Sequence, residues 1–357
     1  MAVGKNKIAV ISTGNGGQSL AAFLANQGYS VALYARERER VEMFHSNRFE
    51  LSGKVRCSPV IDLISCSMED VVEDAYLIMV TTPGQYHPVV AKAMAPYLVD
   101  GQTVVLNPGR TFGTYVFEKT LRENGCKADI LLGETDTLVF TCRCTVPGYP
   151  VIFDIKHDVR VAGHKSGYTQ QLVSMLSDLS LSVAPAESVL ETGLSNIGMV
   201  FHPLPILMNI TRIEKKEMFR YYIDGISPIV AKVVERLDSE RVAVAEALGV
   251  KVPSAYDWLY DRYGSTGASL YERIQNTDAY KDVLAPTEID TRYIHEDIQT
   301  GCVPVSCLGR KLRVPTEITD TAIKWASVFY NRDFYMTGRN ENTIDFDAVV
   351  AEACRVA

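Results

Sequence analysis

From residue 7 the chain alternates between two textures. Short apolar, strand-like runs at 7–12, 30–34, 61–65, 76–81, 103–107 and 129–133 are separated by stretches with helical periodicity, for example 18–27 and 86–95. Strand and helix alternating at this spacing predict a parallel, doubly wound α/β sheet of Rossmann type. Two further strand-like runs, 138–143 and 151–155, are expected to extend that sheet before a helix near 169–178.

From about residue 187 the pattern becomes helical throughout. Ser227-Pro228 reads as an N-cap followed by proline at the first helical position, and Ile229, Val230, Val233, Val234 and Leu237 recur at helical spacing before Gly249 closes the segment. Ser269 to Glu272 reads as a capping box, and Val314-Pro315 is expected to open a last long helix. A dinucleotide-type domain over 1–185 and a mostly α-helical second domain over 186–357 follow from this change. The longest charge-free run, 192–211, contains Ser195, Asn196, His202, Pro203, Pro205 and Asn209, which a bilayer would accept poorly; a buried helix crossing the junction is expected there.

Composition narrows the classes. The 357 residues suit two domains, and the formal net charge of -7 argues against general nucleic-acid or acidic-membrane binding. The eight cysteines show no CxxC and no Cys/His ligand spacing, so no metal site is expected. With Met1 to Lys7 read as a short polar lead-in rather than a secretory leader, they are taken as free thiols of a cytoplasmic protein. The apolar helix content of the second domain is compatible with a homodimer.

The first strand runs into Ser12-Thr13-Gly14-Asn15-Gly16-Gly17. This is the G-x-G-x-x-G dinucleotide fingerprint with serine at the first glycine: Gly14 admits the pyrophosphate close to the backbone, and Gly17 lets helix and strand pack. Asn15 and Gly16 complete the turn, whose N–H groups would take phosphate. At the end of the second strand an NAD site wants an acid for the ribose 2′-hydroxyl. This chain has Ala35-Arg36, with Arg38 close by, so NADP(H) is favoured over NAD(H), Arg36 meeting the 2′-phosphate. Thr81, Thr82 and Pro83, and the turn Asn107-Pro108-Gly109, suit the nicotinamide ribose, with His87 one helical turn beyond the former.

At the other end of the chain, Arg292-Tyr293-Ile294-His295-Glu296-Asp297 and the distant His202-Pro203 supply a carboxylate clamp, an orienting acid and a proton donor. Helical dehydrogenases of hydroxy-acid, glycerol-phosphate and ketopantoate type usually carry a catalytic lysine after the Rossmann domain. No lysine lies between Lys165 and Lys215 here, which leaves histidine as the acid. Glu296 is open to two readings, contact with a substrate amine or pairing with an arginine. On residues alone, three functions stand: reduction of an imine formed from two substrates, reduction of a 2-oxo acid or cyclic imine, and a non-catalytic NADP-binding redox sensor.

Taken together, the Gly-rich turn, Gly133-Glu134-Thr135, Phe140-Thr141-Cys142-Arg143, Asn196 through His202-Pro203-Leu204-Pro205, and Arg292-Tyr293 through Glu296-Asp297 resemble the octopine/nopaline dehydrogenase family of opine dehydrogenases, especially the bacterial N-(1-carboxyethyl)norvaline dehydrogenase type. The resemblance implies a Rossmann domain joined to an α-helical one with the active site in the cleft between. It also implies condensation of an amino acid's amine with a 2-oxo acid such as pyruvate, the imine being reduced by NAD(P)H. By motif, His202 would be the proton donor, Asp297 its partner and Arg292 the oxo-acid clamp, with His87 and Cys142 lining the substrate pocket. Two departures stand out: Ser12 replaces the first glycine, and Ala35-Arg36 replaces the acid of NAD-using relatives.

Overall fold

The computed structural model describes residues 4–356; Met1 to Val3, the start of the polar lead-in, lie outside the described residues. The chain divides into two compact units, one ending at Thr192 and the other beginning at Gly193.

Among the described residues the first unit contains eleven strands: β1 Gly4–Ile11, β2 Ser30–Tyr34, β3 Ser52–Gly53, β4 Leu63–Ser65, β5 Ala75–Val80, β6 Thr103–Leu106, β7 Leu131–Thr135, β8 Phe140–Arg143, β9 Val151–Ile155, β10 Val159–Gly163 and β11 Val183–Pro185. Its helices are α1 Asn15–Asn26, α2 Arg38–Glu42, α3 Met68–Val72, α4 His87–Met94, α5 Gly113–Glu123 and α6 Tyr168–Asp178. The main sheet runs β11-β10-β7-β6-β5-β1-β2-β4, parallel except where β10 pairs antiparallel with β7. Alternate strand residues face opposite sides. Ile8, Val10, Leu77 and Met79 pack with Leu20 and Leu24 of α1, whereas Ala9, Ile11, Ile78 and Val80 pack with Val90, Met94, Phe117 and Leu121 of α4 and α5. A sheet covered on both faces explains why these strands read as uninterrupted apolar runs.

One sequence expectation is corrected here. The runs 138–143 and 151–155 do not extend the main sheet; they form a separate three-stranded sheet, β3-β9-β8. Leu138 and Phe140 pack toward α1, and Asn15 Oδ1 accepts from the Cys144 N–H at 2.9 Å, so the small sheet is held against the start of α1 instead of at the main sheet's edge. The edge position is taken by β10 and β11, short strands that the sequence reading passed over.

The second unit is helical: after α7 Val189–Leu194, which contains the unit boundary, come α8 Gly198–Phe201, α9 Pro203–Met208, α10 Ile210–Glu214, α11 Pro228–Ala247, α12 Ala255–Tyr263, α13 Leu270–Gln275, α14 Arg292–Asp297, α15 Val303–Leu312, α16 Glu317–Phe329, α17 Phe334–Thr337 and α18 Phe346–Val356. The caps expected at α11 and α13 form. Ser227 Oγ accepts from Val230 N–H, Gly249 turns at φ +73°, and Ser269 Oγ accepts from Glu272 N–H at 3.2 Å. The helix expected from Val314-Pro315 begins at Glu317 after Thr316, and α18 follows it. The charge-free run 192–211 is buried for the most part, but it is a chain of short helices and not a single one. Pro203 and Pro205 each remove a donor and clash with the preceding turn, which breaks the helix at His202. Among the described residues no helix is long and apolar enough to cross a membrane.

Arg241 is the polar anchor of this unit. Fully buried on α11, it donates to Asp238 Oδ1 at 2.9 and 2.6 Å, to the Leu194 carbonyl at 2.6 Å and to the Pro253 carbonyl at 2.7 Å, while Asp238 Oδ2 accepts the Ala255 N–H that opens α12. Removing the cation would leave Asp238 charged in the core. Arg241→Met is therefore expected to lower the unfolding free energy by about 3–5 kcal/mol in a urea titration. A loss below ~1 kcal/mol would show that the pair is replaceable by packing.

Candidate active site

The sequence-predicted residues fall into one group in each unit. In the first, the loops after β1, β2 and β5 emerge at the same carboxyl edge, because these strands are parallel neighbours, and β1 is where the strand order reverses. Crevices at such switch points bind ligands in open α/β sheets. Ser12 sits at φ +144°, a conformation suited to the glycine it replaces, and its Oγ accepts from Gly14 N–H at 3.0 Å. Gly14 is the N-cap of α1 and offers no side chain to cap it, so the first-turn N–H groups of Asn15, Gly16 and Gly17 are presented to an anion. A Cβ on Gly17 would lie 1.9 Å from the Ser12 carbonyl oxygen and 3.0 Å from Thr81 Oγ1. Only glycine lets α1 approach the β1 and β5 loops so closely.

Arg36 follows β2, is mostly exposed, pairs with Glu37 at 2.7 Å and has its guanidinium carbon 5.9 Å from the Tyr86 ring centroid. Arg38 turns outward toward Glu42. The second cation at the Gly-rich loop is instead Arg40, which donates to the Thr13 hydroxyl and carbonyl, both at 3.3 Å. After β5, Thr81 Oγ1 donates to the Ile11 carbonyl, Pro83 precedes a 3-10 turn, and Thr82 Oγ1 and Gln85 Oε1 are buried with no hydrogen-bond partner among the described residues. Two such oxygens beside a Gly-rich helix start fit the polar groups of a dinucleotide.

His87 opens α4 and is fully buried, edge-on to Phe117. A Cβ on Gly113 would lie 3.5 Å from His87 Nδ1 and 3.3 Å from Glu134 Oε2, which places His87 beside a second buried polar group. Glu134 accepts from Thr114 N–H at 3.1 Å and Thr192 Oγ1 at 2.7 Å. Cys142 is half-buried on β8, at a register shift opposite β9, with its side chain against the sheet's core. Asn107 Oδ1 is engaged within the fold, accepting from Thr135 Oγ1 and Val139 N–H.

In the second unit His202 and Asp297 meet. His202 Nδ1 lies 2.7 Å from Asp297 Oδ2, with the carboxylate fully buried and the imidazole 14% exposed. Tyr293, one helical turn before Asp297, stacks on the imidazole at 4.0 Å and 10°. The Tyr221 hydroxyl donates to the carbonyls of Phe201 and His202 at 3.1 and 2.8 Å. The first of these is the carbonyl that Pro205 leaves without a helical donor. Burial pushes the Tyr221 phenol well above its ordinary range, with Tyr222 and Tyr293 adding to the effect, so it remains a donor at neutral pH. Arg292 is about 59% exposed and contacts the buried Glu296 at 3.3 Å.

Asp297 is placed by an irregular helix. Between α14 and α15 lies a π-helical segment, Ile298–Cys302, in which Val303 N–H reaches back to the Ile298 carbonyl. Pro304 follows and cannot donate, and the Gln299 carbonyl accepts from Arg339 N–H at 2.9 Å instead. Gly301 brings the segment so near α8 that a Cβ there would lie 2.5 Å from Met199 Cβ. The sequence reading named His202, Asp297, Arg292 and Glu296 as site residues but gave no site role to Tyr293, Tyr221, Glu134, Arg40 or Gln85. Tyr293 and Arg40 carried a usable signal, each four residues from a residue that was named.

A Rossmann-like domain followed by a helical domain, with a capless Gly-rich helix start in one and a histidine–aspartate pair in the other, defines an NAD(P)-binding dehydrogenase. Residues 185–330 match the NAD/NADP octopine/nopaline dehydrogenase α-helical domain, and residues 7–108 match the NAD-dependent glycerol-3-phosphate dehydrogenase N-terminus. The chain is 34% identical over 98% of both chains to an opine dehydrogenase of Arthrobacter sp. (strain 1C). Among solved structures it is similar to octopine dehydrogenase with NADH and L-arginine (TM-score 0.78, 21% identity, 95% of this chain and 94% of that one). It is also similar to NADP+-bound yersinopine dehydrogenase (TM-score 0.76, 15% identity, 98% and 99%). The chain belongs to the opine dehydrogenase family, also called the octopine/nopaline dehydrogenases, and is an oxidoreductase.

The close approach at Gly17 gives a direct test. Gly17→Ala must push backbone against backbone and is expected to cost about 1–3 kcal/mol of stability, the usual penalty of overpacking. NADPH affinity should fall at least roughly tenfold as the α1 N-terminus shifts. Parental urea unfolding together with parental NADPH titration would rule out this role for the glycine.

Proposed function

We propose that the protein is an NADP(H)-favouring opine dehydrogenase that condenses the amine of an amino acid with a 2-oxo acid and reduces the resulting imine. The observation that carries this reading is the 2.7 Å contact between His202 Nδ1 and Asp297 Oδ2, on a helix that also bears Arg292. The family's relatives and their complexes with NADH, L-arginine and pyruvate support the substrate classes.

When bound, the dinucleotide supplies the hydride. Gly14, Asn15, Gly16 and Gly17 would hold its pyrophosphate on the open N–H groups of α1, and Thr81, Thr82 and Pro83 would border the nicotinamide ribose. Arg36, with Arg40 beside Thr13, would meet a 2′-phosphate; the absence of an acid at the end of β2 favours NADP(H). His202 is the proton donor. Its Nδ1 is committed to Asp297, which leaves Nε2 to deliver a proton to the imine nitrogen, while Asp297 stabilises the imidazolium. Arg292 clamps the oxo-acid carboxylate with the donors not engaged by Glu296. His87 and Cys142 are assigned to the substrate pocket on family resemblance alone.

The test is NADPH and NADH oxidation across a matrix of 2-oxo acids and amino acids. Oxidation that requires both substrates is expected. Oxidation with oxo acid alone would replace the condensation by simple reduction, and none with any pair would favour a redox sensor. His202→Ala should lower turnover by roughly 10² or more while leaving NADPH affinity within about twofold; near-parental turnover would remove His202 from the mechanism. Arg36→Ala should weaken NADPH and leave NADH unchanged. Equal losses for both would overturn the 2′-phosphate assignment.

A further inference from the structure

We propose that Tyr293 is a positioning residue for the proton donor: its ring fixes the plane of the His202 imidazole and favours the protonated form of that ring. The inference rests on the reading of His202 as the acid. Tyr293 and Asp297 lie four residues apart on α14, so their side chains leave the same face. Asp297 takes the imidazole at its edge, through Nδ1, and Tyr293 covers its face at 4.0 Å with the rings only 10° from parallel. One helical turn therefore restrains the imidazole in two perpendicular directions.

The stack also has an electrostatic sense. The face of a phenol ring carries the negative lobe of its quadrupole and attracts a cation held over it. An imidazolium gains from this placement, whereas the neutral ring gains only dispersion. Tyr293 is itself braced by Tyr221, whose ring centroid is 5.3 Å away and whose hydroxyl holds the His202 carbonyl. Other charges near the imidazole are accounted for. Arg292, 5.4 Å from the Tyr293 centroid, is offset by Glu296. The phenols of Tyr221 and Tyr222 and the thiol of Cys302 are held protonated by burial. On α11, Asp238 is committed to Arg241, and Glu240 to Thr319 at the start of α16.

The experiment compares Tyr293→Phe, Tyr293→Leu and pentafluorophenylalanine at position 293 in the full-length protein. Activity is followed as kcat and KM against pH, and the His202 ring proton is titrated by NMR, assigned by its absence in His202→Gln. Tyr293→Phe should behave as the parent. The leucine and pentafluorophenyl variants should each lower the imidazolium-to-imidazole ratio at fixed pH by roughly two- to thirtyfold, the cation–π range expressed as a population ratio. The alkaline fall of kcat should move to lower pH with it, while KM for the two substrates changes less. The pentafluorophenyl ring preserves shape, so its result decides the matter even if the leucine variant does not fold. An unmoved His202 titration in that variant overturns the proposal, as does equal loss in Tyr293→Phe. The titration is read without turnover, so it stands apart from any failure of His202 as the acid.

Discussion

The 2.7 Å bond between His202 and Asp297 joins two helical segments at the points where each departs from regular geometry. On one side Pro203 and Pro205 end the helix and free carbonyls that later segments satisfy; on the other a π-segment and Pro304 displace the helix beyond Asp297. The freed groups have replacements: the Tyr221 hydroxyl for the Phe201 carbonyl, the Cys302 thiol at 4.0 Å for the Met199 carbonyl that Pro203 leaves, and Arg339 N–H for the Gln299 carbonyl. That accounting is required, since an unmet carbonyl in this interior would cost about 1–3 kcal/mol. A fully buried carboxylate is tolerable only with partners, and the irregular helices bring one to it. The π-segment, with Gly301 against Met199, makes the approach between the helices sterically possible.

The first unit meets a comparable demand with backbone alone. Its closest approach is that of α1 to the Ser12 carbonyl, where no side chain fits, and Ser12 accepts a glycine-like conformation to allow it. The strain, of order 1–3 kcal/mol for such a residue, is set against the N–H groups that this geometry directs outward from α1. Both units thus place irregular backbone at the candidate site residues.

This explains which features were legible in the sequence. The doubly wound sheet, its six parallel strands and the caps of α11 and α13 follow from local periodicity and capping chemistry, which lie within a few residues. The separate sheet of β8 and β9 was not legible. Val151 to Ile155 reads as a strand, but its partner depends on Leu138 and Phe140 reaching α1, a contact between distant residues. The charge-free run showed its burial and hid its breaks, because the apolar pattern outweighed two prolines that decide the backbone. His202 and Asp297 were readable as a chemical pair; for Tyr293 only its spacing from Asp297 was readable and not its role, since an aromatic on a helix signals packing until its neighbour is seen to be an imidazole.

Exposure then sets how differently the two groups of charges act. Arg36 and Glu37 are both well over half exposed, so the field they present beyond β2 is shared with water and ions and is screened over about 8–10 Å at ordinary ionic strength. Asp297 is fully buried, and its interaction with His202 is scarcely screened. On the proposed reading, a choice between cofactors resting on the first is a difference of small, salt-dependent terms. On the same proposed reading, acid–base chemistry resting on the second is far less sensitive to the medium.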